Sequence, residues 1–73
     1  MLYFKTSQPV PGKGDAEVYY ECTDEKTIVR YVTRITLTDE VERVSDPIVK
    51  KLYRPESLCE SSQEEFERHW SAP

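Results

Sequence analysis

The sequence is poor in the residues from which chemical sites are built. It has one histidine and two cysteines in 73 residues. A catalytic pair needs a nucleophile and a base within hydrogen-bond reach of each other, and no serine or cysteine is marked out beside His69 by its local sequence. Cys22, Cys59 and His69 give three metal ligands at most, without the paired spacing of zinc sites. No metal or other cofactor is therefore expected. Gly12-Lys13-Gly14 lacks the spacing and the following Ser or Thr of a phosphate loop. No run of roughly 18 apolar residues is present, which excludes a membrane-spanning helix. The opening Met1-Leu2-Tyr3-Phe4-Lys5 lacks a basic leader followed by a long apolar stretch. The expectation is a cytoplasmic chain without a secretory signal, its thiols free in a reducing compartment.

Length sets the next limit. A single domain of this size buries only about 60% of its unfolded surface. A deep substrate pocket, which takes roughly 300 Å³ or more, is not expected. Hydrophobic residues make up 37% of the chain, charged residues 33%, and the net charge is −4. The charge is unevenly spread. Through residue 55 basic and acidic side chains balance; after it Arg68 faces Glu56, Glu60, Glu64, Glu65 and Glu67. An acidic chain opposes general nucleic-acid binding, because the backbone it would meet is densely anionic. A basic protein partner is the better match, with Glu60, Glu64 and Glu67 as the expected contacts. Paired carboxylates at Asp24-Glu25, Asp39-Glu40 and Glu64-Glu65 fall in turns or at a helix start, where water keeps their pKa values together rather than splitting them for acid–base work.

Hydrophobic periodicity gives the elements. Leu2–Thr6 reads as a strand, and the Pro/Gly-rich run from Ser7 to Gly14 as a mobile break. From Ala16 to Thr23 apolar and polar residues alternate, the period of a half-buried strand. Thr23-Asp24-Glu25-Lys26 suits a four-residue hairpin loop. The β-branched stretch Thr27–Thr38 is a third strand. Its faces read Val29, Tyr31, Thr33, Ile35, Leu37 and Ile28, Arg30, Val32, Arg34, Thr36. Strands over about 41–45 and 48–54 follow, separated by Asp46-Pro47. Ser62 with Glu65 fits a capping box for a helix over about 62–70, with Ser61 and Glu64 one register earlier. Phe66 and Trp70, four apart, share a face of that helix, which is too short to persist without docking. The expected core is Val18, Tyr20, Val29, Tyr31, Ile35, Leu37, Phe66 and Trp70, with Leu52 at its edge.

One constellation offers a second function. Tyr19, Arg30 and Arg34, with Lys50, Lys51, Tyr53 and Arg54, interleave aromatic and basic groups as a single-stranded nucleic-acid face does. Glu17 and Glu21 share the strand face of Tyr19, so cross-strand Glu–Arg pairing is the cheaper use of the arginines.

Two segments resemble a small uncharacterised bacterial domain family, some of whose members are thought to act as immunity-type or regulatory partners of other proteins. Val29-Arg30-Tyr31-Val32-Thr33-Arg34-Ile35, running toward Asp39, is similar to that family's central strand, and Ser62–Trp70 resembles its closing Glu-Glu-Phe-x-x-x-Trp helix. No glycine follows Asp39 here, and the stretch before the helix is shorter. The resemblance implies an antiparallel sheet with a packed helix, and no substrate, cofactor or catalytic residue.

The expected fold is α+β: an antiparallel meander of four or five strands with one short C-terminal helix on one face. The expected function is a non-enzymatic protein-interaction or regulatory module. Open β-edges, protected only by Lys50 and Lys51, leave a homodimer available.

Overall fold

Alternating side chains and tight turns build the sheet locally. The computed structural model describes residues 1–12, 14–48, 50–52, 56 and 58–71. Strands β1 (Leu2–Val10) and β2 (Gly14–Cys22) form a hairpin paired along its whole length, from Leu2↔Cys22 to Val10↔Gly14. The run from Ser7 to Val10 is therefore strand, and the break expected there shrinks to a turn at Pro11 and Gly12. Gly12 and Gly14 take positive φ, so the reversal is made where side chains resist it least. Pro9 is tolerated because β1 has no outer neighbour at that point.

Strand β3 (Ile28–Ile35) pairs with β2, and β4 (Glu40–Ser45) pairs with β3. The β2–β3 loop falls where expected but spans Thr23 to Thr27, one residue more than the four-residue loop read from sequence. Its hydroxyl cap comes from Thr23, whose Oγ1 accepts from Glu25 N (3.3 Å) and Thr27 N (3.2 Å). The third strand ends at Ile35, three residues early, because Thr36–Asp39 turn the chain with Asp39 at φ +60°. The last strand is β5 (Cys59–Glu60), paired to β1, and the strand expected over 48–54 is absent among the described residues. A single bridge, Thr27↔Lys51, remains there; residues 49, 53 and 54 lie outside the described set. The five strands form one antiparallel sheet in the order β4-β3-β2-β1-β5. Helix α1 (Gln63–Trp70) packs on one face.

Ser62 caps α1: its Oγ accepts from Glu65 N at 3.1 Å. The Glu65 carboxylate turns instead to Ser61 Oγ and to Lys5. Removing the cap by Ser62→Ala is expected to cost about 1 kcal/mol. A lower urea midpoint with an unchanged m-value would show it.

A bulge decides which residues are buried. Glu21 pairs with Arg30 but Cys22 pairs with Ile28, leaving Val29 as the extra residue. Ile28 thereby crosses to the face of Tyr31 and Thr33, and Val29, expected in the core, is 38% exposed. Leu37, also expected inside, sits in the turn at 74% exposure. Val18, Leu52 and Phe66 are buried as expected, whereas Tyr20, Tyr31, Ile35 and Trp70 are half-buried. Two clusters result. Under the helix lie Tyr19, Val32 and Phe66, flanked by Tyr3, Val41 and Trp70. On the other face lie Cys22, Ile28 and Leu52, flanked by Leu2, Phe4, Tyr20 and Leu58.

Candidate interaction face

The register sorts the strand side chains into two unlike faces. On the helix side the cross-strand rows are Tyr3–Glu21–Arg30–Ser45, Lys5–Tyr19–Val32–Arg43 and Ser7–Glu17–Arg34–Val41. Arg30 is the hub. Its Nε donates to Glu21 Oε1 at 2.6 Å, and its Nη2 donates to Glu21 Oε2 and to Glu67 on α1. Its guanidinium carbon lies 4.8 Å from the Phe66 ring centroid and 4.7 Å from that of Trp70, so cation–π attraction adds to the ion pairs. Tyr3 Oη donates to the same Glu21 carboxylate at 2.8 Å.

This setting moves the titrations. The bond from Arg30 holds Glu21 below the usual carboxylate range, and Glu21 in turn raises the Arg30 pKa. Burial and the bond to Glu21 push the Tyr3 hydroxyl up to about 12.

The rest of this face is engaged too. Lys5 pairs with Glu65 at 3.2 Å, Arg34 Nε donates to Asp39 at 2.8 Å, and Arg43 donates to the Trp70 carbonyl. His69 stacks on Tyr19 with ring centroids 4.1 Å apart. Burial, then the nearby Arg34 charge, lowers its pKa. Among the described residues no buried side-chain nitrogen or oxygen lacks a hydrogen-bond partner. The polar groups under the helix are spent on holding it.

The opposite face differs. Its rows are Leu2–Cys22–Ile28, Phe4–Tyr20–Tyr31–Val44, Thr6–Val18–Thr33–Glu42 and Gln8–Ala16–Ile35–Glu40. The chain leaving β4 at one edge must cross this face to deliver β5 to the other edge. Leu52 and Leu58, from that crossing segment, cover the first row. The second and third rows stay partly open and floor a groove of about 760 Å³. Pro47, Ile48, Lys51 and Leu52 form its wall. The volume exceeds what a chain of this length was expected to hold, because the groove is a half-open gap between sheet and crossing segment and not an enclosed cavity. Ile48, at its rim, is 99% exposed.

The residues singled out from sequence do not form one surface. Glu60 stands on β5 opposite Phe4, which places it on the helix-free face. Glu64 points outward from α1, 3.9 Å from Arg68, while Glu67 turns inward to Arg30. Of the aromatic–basic set, Tyr19 is buried beneath His69, and Arg30 and Arg34 are paired on the helix side. Lys50 bonds Asp46 and the Pro47 carbonyl, Lys51 lines the groove, and Tyr53 and Arg54 lie outside the described residues. Cross-strand pairing holds for Glu21–Arg30; Arg34 takes Asp39 from the following turn instead of Glu17. The groove itself was missed from sequence. Its one signal was the apolar content of Val44, Pro47, Ile48, Leu52 and Leu58, of which the expected strand over 48–54 took Ile48 and Leu52.

Both cysteines are free. Cys22 is buried, and burial pushes its thiol up to about 11, whereas Cys59 is exposed. Thiol labelling is expected in two phases: Cys59 at once, Cys22 only with unfolding, so the slow phase should accelerate with urea. No group of three or more metal-ligating side chains occurs among the described residues, and none of their helices is long and apolar enough to cross a membrane. Comparison with protein-family models, curated proteins and solved structures returns no match.

Proposed function

We propose that the chain is a cytosolic, non-enzymatic protein-interaction module that receives an apolar segment of a partner protein on the helix-free face of its sheet. The groove of about 760 Å³ is the observation that carries this reading. Contiguous apolar surface left open on a small domain marks interaction sites, and this groove combines aromatic and branched side chains with hydroxyls from Thr6 and Thr33. The helix-covered face offers only a smaller gap of about 240 Å³ beside Lys5, Ser7, Glu17 and Tyr19, where Lys5 is paired with Glu65 and Glu17 accepts from Tyr19.

A different protein fits better than a second copy. Full-length antiparallel pairing of two β4 strands about a two-fold axis sets Glu42 opposite Glu42 or Arg43 opposite Arg43, and like charges directly opposite destabilise a ladder.

The test is co-purification of the tagged protein from native lysate, comparing Ile48→Asp with Glu64→Lys. Ile48 is fully exposed, so its substitution leaves the fold intact. Partners should be lost with Ile48→Asp and kept with Glu64→Lys on the outer side of α1. Partners kept by Ile48→Asp and lost by Glu64→Lys would move the contact to the acidic helix and overturn the reading.

A further inference from the structure

We infer that the segment received in the groove is basic as well as apolar, carrying lysine or arginine beside the side chains it buries. The inference rests on the docking reading above and adds the chemistry of the occupant. Its ground is the sorting of charge between the two faces. The strand cations Lys5, Arg30, Arg34 and Arg43 all lie on the helix side, each bonded within the chain. Among the described residues the strand charges on the open face are Glu40, Glu42 and Glu60, all acidic. They stand at its two edges: Glu42 on β4 opposite Thr33, which lines the groove, and Glu60 on β5 opposite Phe4.

From β4 to β5 is four inter-strand steps, about 19 Å at the usual strand spacing, or about six extended residues. A segment lying across the sheet thus buries apolar groups over Tyr20 and Tyr31 and meets a carboxylate near each end. Among the described residues of the crossing segment, Lys50 is held by Asp46 and the Pro47 carbonyl, which leaves Lys51 against the two edge glutamates. Apolar contact supplies the affinity; the charges select the partner and speed its approach. RNA or an anionic lipid surface would meet the same carboxylates without compensation.

Fluorescence anisotropy with two short synthetic peptides tests this. One has leucine and phenylalanine between terminal lysines; the other has glutamate in place of lysine. The lysine peptide should bind about tenfold more tightly at about 0.05 M salt, and the gap should shrink to roughly twofold at about 0.5 M, where exposed charges are screened. Glu42→Lys with Glu60→Lys, both at exposed positions, should abolish or invert the preference, with unchanged Trp70 emission reporting an intact fold. The neutral Ile48→Ser should weaken both peptides alike. Equal binding of the two peptides at low salt overturns the charge inference and leaves the docking reading standing. No binding of either, with lysate partners still lost on Ile48→Asp, overturns the basic-segment assignment alone. Lysate partners indifferent to Ile48→Asp overturn both. A short single-stranded RNA or an anionic vesicle binding as tightly as the lysine peptide also contradicts the inference.

Discussion

Phe66→Ala is expected to remove most of the chain's stability. Phe66 is fully buried at the centre of the helix-side cluster, against Tyr3 (ring centroids 5.7 Å) and Trp70 (5.9 Å), with the Arg30 guanidinium over its face. Truncating such a ring costs about 3–5 kcal/mol, from lost burial and from the void left behind. A domain of this length has roughly 4–11 kcal/mol in total at typical stability per residue. The loss does not stop at the ring. An eight-residue helix does not persist in isolation, so α1 goes when its anchor goes. Urea titration followed by far-ultraviolet circular dichroism and Trp70 emission should show a much lower midpoint, or no folded baseline. Phe66→Leu, which keeps most of the volume, should retain a cooperative transition.

Arg30→Met is expected to cost about 3 kcal/mol, at the low end for breaking a buried pair because Arg30 is partly exposed. The damage comes from what remains: the Glu21 carboxylate, with its residue 7% exposed, keeps Tyr3 but loses its cation. The pH dependence gives this mechanism its signature. In the native chain Glu21 is held below its ordinary value of 4.5 by Arg30. The folded state therefore binds fewer protons than the unfolded one. The stabilisation is full above that ordinary value and drains away as pH falls through the lowered one. His69, also lowered, acts in the same direction from its ordinary 6.5 downward, since protonating it opposes folding. In Arg30→Met the Glu21 contribution changes sign. An uncompensated buried carboxyl is raised, so protonation relieves the variant and its deficit relative to the native chain narrows on acidification. Adding Glu21→Gln should recover part of the loss at neutral pH. A deficit independent of pH would mean that lost ring contact, and not the stranded charge, sets the cost.

The fold class was legible because its signals are local. Alternation from Ala16 to Cys22, β-branching from Ile28 to Ile35 and the Ser62–Glu65 cap each act within a few residues, and α1 with the first four strands follows from them. The faces were harder to read. The apolar set Ala16, Val18, Tyr20 and Cys22 looked like the natural floor for a helix, yet α1 lies on the side of Glu17, Tyr19 and Glu21. The sheet is covered by the helix on one side and in part by the crossing segment on the other, so alternation no longer tells inside from outside. The charged residues are admitted beneath α1 because Glu21, Glu67 and Arg30 neutralise one another. Phe66 and Trp70 lay their rings on the arginine that joins them.

The bulge at Val29 has no signature in the sequence, and it moved one residue out of the core and another in. Strand β5 is two residues long and exists only because the chain returns along β1, a tertiary event that periodicity does not register. In the acidic C-terminal segment Glu56, Glu60 and Glu64 are exposed, but the glutamates do not form one strip. Glu65 and Glu67 serve the sheet, and Glu60 falls on the other face from the helix.

These placements converge on one division of labour: a helix-sealed face that holds the domain together and an open, acid-edged apolar face that we propose as the binding surface. Heteronuclear NMR titration with the lysine-flanked peptide separates the two in a single measurement. Shifts should gather at Tyr20, Tyr31, Thr33 and Val44, while the Trp70 indole and Arg30 Nε resonances stay in place. Shifts concentrated at Trp70, His69 and Arg30, with the groove residues unmoved, would place binding on the helix side and contradict it.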